Sequence, residues 1–317
     1  MTRYLTELSL DAFIEAARNV PYQQIQSELF RGIDLWIRRD DLIDPLISGN
    51  KAYKLIYNLL EAREQGKNTI VTCGGAWSNH IHATAAAGQR FGFKTVGIIR
   101  GERPPLLSAM LQDAERFGME LRFVSRAEYR KRREPDFPGY LGLDMADSWY
   151  VPEGGANIQG AKGVQLLGEA IAETGPVRFD EYWLPCGTGL TLGALASALP
   201  KESTIFGVPV LKAEEAIYLA AIAWAEKLRR TGISNIEVVE GGHCGGYAKV
   251  NNELAQFLEA VRDKLGIPLD PIYGAKVALQ LKLASNSHHL ELYKGERRKN
   301  VLLLHTGGLQ GNRGYRS

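Results

Sequence analysis

The sequence predicts an α/β fold in which parallel, twisted strands are covered on both faces by helices. Three observations predict it. Short β-branched runs alternate with helix-patterned segments along most of the 317 residues, some apolar runs are continuous rather than alternating, and glycine turns stand between strands and the helices after them. With 45% hydrophobic residues the chain can bury a large core, in one domain or two.

The elements follow in order. Residues 53–65, 78–91 and 105–117 carry helical patterning, and between and after them 69–72, 95–99, 121–124 and 149–151 read as strands. This block of about a hundred residues reads as one compact βαβ unit. After Pro152-Glu153-Gly154-Gly155-Ala156-Asn157, a helix over 160–174 leads into a strand at 181–185, a glycine turn and another helix. Residues 205–210, 236–239 and 301–304 read as further strands, the last a continuous apolar run suited to burial on both faces.

Composition prunes the function classes. Thirty-eight basic against 36 acidic residues give a formal charge of +2, so no global field recruits nucleic acid or an anionic membrane. The run Arg130-Lys131-Arg132-Arg133 reads as solvated surface. Three cysteines, Cys73, Cys186 and Cys244, with no CxxC spacing, fit a reducing compartment, and no leader pattern or span of about 18 apolar residues appears. The expectation is a cytoplasmic protein. The phosphate loop GxxxxGK[ST], the dinucleotide fingerprint GxGxxG, the GxSxG elbow and the HExxH zinc motif are all absent. His80 and His82 stand two apart, which is poor spacing for a metal pair on a helix, and His288-His289 reads as surface. No metal site is expected.

Two kinds of feature carry chemistry. In Ser48-Gly49-Asn50-Lys51-Ala52-Tyr53-Lys54 a glycine turn places Lys51 in the first turn of a helix, where the dipole disfavours a cation unless it is neutral, paired or used. Lys54 shares that face one turn on, so a like charge and partial desolvation would both lower the Lys51 pKa and free an amine for imine formation. On spacing alone, two solvated helix-start lysines explain the pattern as well. The second feature is the turn Cys186-Gly187-Thr188-Gly189-Leu190-Thr191, whose backbone N–H groups and threonine hydroxyls could bind an anion. A tight turn whose glycines only permit positive φ is the other explanation.

Five motifs in a fixed order shift this balance. They are Ser48 to Lys54, the Gly-Gly-x-x-Ser-Asn of Gly74 to Asn79, Val151-Pro152-Glu153-Gly154-Gly155, Asp270-Pro271-Ile272-Tyr273 and His305-Thr306-Gly307-Gly308-Leu309. Across nearly the whole chain the sequence resembles the 1-aminocyclopropane-1-carboxylate deaminase and D-cysteine desulfhydrase family of pyridoxal-phosphate enzymes. The resemblance implies a tryptophan-synthase-β-like (fold type II) architecture, with a small domain over 52–158 inserted in a larger one built from 1–51 and 159–317, and a homodimer. It makes Lys51 the Schiff-base lysine, Asn79 the partner of the cofactor's phenolic oxygen, and Ser78 a residue near the substrate carboxylate and reacting carbon. Lys54 and the turn of Gly187, Thr188, Gly189, Leu190 and Thr191 become phosphate ligands, while Tyr273 and, with a looser match, Tyr247 become active-site tyrosines.

The reaction turns on two positions. Typical members that open the cyclopropane carry glutamate after the Asp-Pro-x-Tyr tyrosine and leucine before the late glycine pair; this chain has Gly274 and Thr306. Thr306 offers the cofactor's ring nitrogen only a neutral hydrogen bond, a weaker electron sink that suits loss of a good β-leaving group. The cycle implied is amine exchange at Lys51, α-deprotonation by the freed lysine, loss of the β-substituent and hydrolysis to a keto acid and ammonia. For D-cysteine the products are pyruvate, hydrogen sulfide and ammonia. Cyclopropane deamination or another D-amino acid lyase reaction are the alternatives within the family. Outside it stand a non-catalytic small-molecule-binding protein and, more remotely, a serine hydrolase built on Ser78 and His80. His80 and the bulky Trp77, beside Ser78, depart from the usual family pattern.

Overall fold

The computed structural model describes residues 5–134, 136–229, 232–292 and 297–314, without side chains for 288–292, so Pro135 and the side chains of His288 and His289 lie outside it. The elements in chain order are α1 (Leu10–Arg18), β1 (Tyr22–Ile25), β2 (Ile33–Arg38), α2 (Asn50–Glu64), β3 (Thr69–Gly74), α3 (Asn79–Phe91) and β4 (Lys94–Arg100). Next come α4 (Ala109–Arg116), β5 (Met119–Val124), α5 (Arg126–Tyr129), α6 (Phe137–Tyr140), β6 (Ser148–Val151) and α7 (Ile158–Thr174). The remainder is β7 (Glu181–Cys186), α8 (Leu190–Ala196), β8 (Thr204–Pro209), α9 (Glu214–Leu228), β9 (Asn235–Val238), α10 (Asn252–Leu265), α11 (Gly274–Leu292) and β10 (Lys299–Leu304).

The chain divides into two compact units. One takes in residues up to Ala16, Ile43–Gly163 and the segment from Gln310; the other takes in Ala17–Leu42 and Val164–Leu309. Lys51 therefore belongs to the first.

The first unit is built on a four-stranded sheet in the order β5-β4-β3-β6, with every pair parallel. Two apolar clusters hold it. Val71, Cys73, Val96, Ile98, Tyr129 and Phe137 form one, and Ile81, Ala85, Ile99, Leu111, Ala114 and Met119 the other. The helices start where the sequence supplies caps: Ser78, Ser108 and Ser125 accept the N–H groups of Ile81, Leu111 and Glu128. The cap at Ser108 is why α4 begins at Ala109 rather than at the predicted 105.

The second unit carries a six-stranded sheet in the order β1-β2-β10-β7-β8-β9. All its pairs are parallel except β1 with β2, which is antiparallel. The predicted parallel architecture thus needs correcting at this edge, and two strands precede the first one expected. Tyr22–Ile25 has too few apolar positions to announce a strand, as an edge needs only one packed face. Sequence patterning also gave no helices over 214–292, where α9, α10 and α11 form. Val277, Ala278, Leu279 and Leu281 are all buried along α11, so its apolar residues do not keep to the single stripe that periodicity detects. Among the described residues no helix is long and apolar enough to cross a membrane.

Candidate active site

In the first unit the chemistry gathers where α2 and α3 begin. Gly49, at φ 64°, caps α2, and Lys51 is the second residue of the helix. Its amine engages no hydrogen-bond acceptor among the described residues, and burial lowers its pKa from 10.5 to about 8. The expected cause changes accordingly: desolvation does the work rather than the charge of Lys54. The Lys54 ammonium is held elsewhere, donating to the Gly154 carbonyl at 3.1 Å.

That carbonyl is presented by the Glu-Gly-Gly turn after β6. Gly154 and Gly155 both lie in the left-handed region, at φ 68° and 75°. A Cβ on Gly155 would stand 3.0 Å from Lys54 Cβ and 3.4 Å from His80 Cε1, so side chains from α2 and α3 close over this backbone. Glu153 pins the turn from the other side, accepting from the Tyr129 hydroxyl at 2.7 Å and from Arg132 Nε at 2.6 Å. Arg132 is thereby a partner in a half-buried ion pair, which corrects its reading as part of a solvated run.

At the start of α3 the Ser78 hydroxyl accepts the Ile81 N–H at 3.3 Å as its N-cap. The next two residues carry unusual polar atoms. Asn79 Oδ1 and both ring nitrogens of His80 are buried with no hydrogen-bond partner among the described residues. Each such group costs about 1–3 kcal/mol, and orphans of this kind call for an explanation in function. His80 is held neutral, its pKa pushed well below 6.5 by burial first and then by the charges of Lys51 and Lys54. His82 points elsewhere, with Nε2 3.3 Å from Asp113 Oδ2, and Asp113 also pairs with Arg313 and Arg116. Burial and then the Arg313 charge lower the His82 pKa to about 4.

The other predicted residues belong to the second unit. Gly189, at φ 77°, caps α8, and a Cβ there would fall 2.7 Å from the Ile217 carbonyl oxygen. Over Gly187 there is open space instead, with no atom within 4 Å of where a Cβ would be, so its backbone is approachable. Thr188 is exposed and Thr191 buried. The Asp-Pro-Ile-Tyr motif has a plain structural cause: Asp270 accepts the N–H groups of Ile272, Tyr273 and Gly274 at 3.0, 2.8 and 2.9 Å and so opens α11. Tyr273 and Thr306 are partly buried, and Tyr247 is 42% exposed in the loop before α10. Beside Thr306, His305 Nε2 lies 2.7 Å from the Pro268 carbonyl oxygen.

Two residues escaped the sequence. Glu153 was visible only as part of a motif, because its partners Tyr129 and Arg132 come from α5 and the turn after it. Lys276, buried in the first turn of α11, could have been found by the same helix-dipole argument that singled out Lys51.

In the first unit, an amine whose pKa is lowered to about 8 and a buried amide oxygen awaiting a donor suit an aldehyde with a phenolic oxygen; in the second, a glycine turn with an open backbone face suits a phosphate. The profile of the family described as pyridoxal-phosphate dependent enzyme matches residues 16–307, and the chain belongs to that family. A Thermotoga maritima protein provisionally named 1-aminocyclopropane-1-carboxylate deaminase is 32% identical, over 88% of this chain and 90% of its own. The mitochondrial bifunctional D-cysteine desulfhydrase/1-aminocyclopropane-1-carboxylate deaminase of Arabidopsis thaliana is 27% identical over 88% of this chain and 73% of its own. Among solved structures, one described as an ACC deaminase homologue superposes with a TM-score of 0.78 at 27% identity, covering 92% of this chain and 90% of that one. The protein is a fold type II enzyme whose cofactor is pyridoxal phosphate.

Proposed function

We propose that this enzyme catalyses β-elimination on a small amino acid, most simply the conversion of D-cysteine to pyruvate, hydrogen sulfide and ammonia. In this reading Lys51 binds the cofactor covalently. Lys54 and the Gly187 to Thr191 turn take its phosphate, Asn79 its phenolic oxygen and Thr306 its ring nitrogen, while Ser78, Tyr273 and Tyr247 serve the substrate. When bound, pyridoxal phosphate supplies an electron sink for negative charge developing at the substrate's α-carbon.

The observation that carries the reading is the Lys51 amine, lowered to about 8 by burial and flanked by a neutral imidazole. With that pKa about a tenth of the amine is free base at pH 7, enough both to bind an aldehyde and, once released, to remove an α-proton. The neutrality of His80 keeps a third positive charge out of the pocket that holds Lys51 and Lys54. Ser78 accepts the Ile81 N–H with one lone pair, and its own hydroxyl hydrogen can be donated to a substrate oxygen. Thr306 can give or take only a neutral hydrogen bond, which favours expulsion of a thiolate over opening of a carbon ring.

One observation favours a second reading: the Arabidopsis relative carries both activities in its name. Deamination of 1-aminocyclopropane-1-carboxylate by the same residues is therefore the alternative. A panel of D- and L-cysteine, D-serine, β-chloro-D-alanine and the cyclopropane acid, scored for keto acid and sulfide, decides between them. Sulfide and pyruvate from D-cysteine support elimination; 2-oxobutanoate from the cyclopropane alone overturns it. We further infer a homodimer working in the cytoplasm: Cys73, Cys186 and Cys244 are buried and form no disulfide, which supports the reducing compartment, and light scattering and fractionation test the two claims.

A further inference from the structure

Lys276 is fully buried in the first turn of α11, three residues after Tyr273. Its ammonium donates to the carbonyl oxygens of His243 at 2.7 Å and Gly246 at 2.8 Å, with the Val210 carbonyl farther off at 3.5 Å. An ammonium has three donors and no acceptor, so a pocket of backbone carbonyls is what satisfies it. The segment it grips is not held by regular secondary structure. Cys244 and Ala248 lie at φ 50° and 57°, a region costly for residues with a Cβ, and Gly245 and Gly246 reach φ 95° and 129°. Such a path persists only where its surroundings determine it. Besides the turn hydrogen bonds of its own backbone, from the Cys244 N–H to the Gly241 carbonyl, from Gly246 to His243 and from Lys249 to Gly246, its supports include the Lys276 contacts, the Gly245 N–H donated to His243 Nδ1 at 3.0 Å, and His243 Nε2 at 3.4 Å from Glu214.

We propose that Lys276 is a positioning residue, a built-in cation that fastens the strained segment carrying Tyr247 to the helix that Tyr273 opens. Nothing in the elimination chemistry uses this amine, and its place against the helix dipole needs a compensating role. The function of the fastening rests on reading the two tyrosines as active-site residues; the fastening itself does not.

The test uses the full chain loaded with pyridoxal phosphate. In Lys276→Met the amides of residues 242–249 should exchange with deuterium about 10–100-fold faster, while the rest of the second unit is little changed. Turnover of D-cysteine should fall through kcat, with the cofactor's absorption and its borohydride trapping on Lys51 retained. Ammonium or potassium chloride at about 0.1 M should restore both exchange and turnover, because a small cation binds the vacated carbonyls only in the native state; lithium chloride should not. Unchanged exchange in 242–249, or acceleration spread through the whole unit and insensitive to ammonium, overturns the proposal. Should Lys276→Met fail to fold, Lys276→Leu, which likewise vacates the carbonyls, gives the same readout; collapse of both without recovery in ammonium assigns Lys276 to the core and also overturns it. If the unaltered protein turns over no D-cysteine, the proposed reaction fails, while the exchange measurement still decides the role of Lys276.

Discussion

The start of α2 and the start of α11 each place a lysine where the helix dipole disfavours it, and both residues are drawn in from solvent. They differ in what meets the amine. Lys276 finds carbonyls at 2.7 and 2.8 Å, whereas Lys51 finds no acceptor among the described residues. Burial lowers both pKa values, but at Lys276 the neighbouring Cys244 sulfur and Asp270 carboxyl push back, and at Lys51 nothing does. Acceptors turn a buried lysine into a structural cation; their absence turns it toward the free base. The same contrast separates His80, with two orphaned nitrogens, from His82, which meets Asp113.

Removing the Lys51 amine gives the largest expected effect. Lys51→Met should lower turnover by about 10³-fold or more, since in the proposed reaction one group both binds the cofactor and moves the proton. The same substitution should stabilise the cofactor-free protein. The folded pKa lies below the unfolded value of 10.5, so unfolding takes up protons and stability rises as pH increases from about 8 to 10.5. The penalty is complete below about 8 and gone above 10.5. Allowing for partial exposure, it amounts to about 1–3 kcal/mol, which denaturation of both proteins at pH 7 and pH 10.5 will read. Equal stability of the two at pH 7 would mean that Lys51 has an acceptor after all and would dissolve the contrast.

His82 sharpens it from the acid side. Its folded pKa of about 4 lies below 6.5, so the unfolded chain binds the proton first and stability falls as pH drops through this window. His82→Gln should flatten that part of the curve by about 2 kcal/mol. The slope that persists includes the contribution of His80, whose pKa is pushed well below 6.5. A curve unchanged by the substitution would show that the Asp113 carboxylate compensates the imidazole in full.

How much of this was legible in the sequence follows from range. Strand and helix identities in the first unit rest on local periodicity and serine caps, and Thr69–Gly74, Asn79–Phe91 and Lys94–Arg100 form close to their expected bounds. β1 pairs at an edge and α11 is apolar on more than one side, so neither shows a local period. In the site, Lys51 was found because a misplaced charge is a local anomaly. The burial of His80 within the electrostatic reach of Lys51 and Lys54 and the pairing of Glu153 with Arg132 link distant segments, and no spacing rule reports them.

Lys54 stands between the two extremes, and Glu153 is the lever on it. The carboxylate accepts from Tyr129 and Arg132 and so fixes the turn whose Gly154 carbonyl meets the Lys54 ammonium. Glu153→Gln keeps the shape and removes the charge from both hydrogen bonds, leaving the turn, and with it Lys54, less well placed. If Lys54 serves the cofactor's phosphate, affinity for pyridoxal phosphate should fall about 5–20-fold, or about 1–2 kcal/mol, while affinity for pyridoxal, which lacks the phosphate, stays level. The two effects should also fail to add: in a Lys54→Met background, Glu153→Gln should cost little more, because the residue acts through the amine already removed. Equal losses for the two aldehydes, or fully additive losses in the double variant, would detach the clamp from Lys54 and leave it a purely structural ion pair, exposed enough at Glu153 and Arg132 to contribute little else.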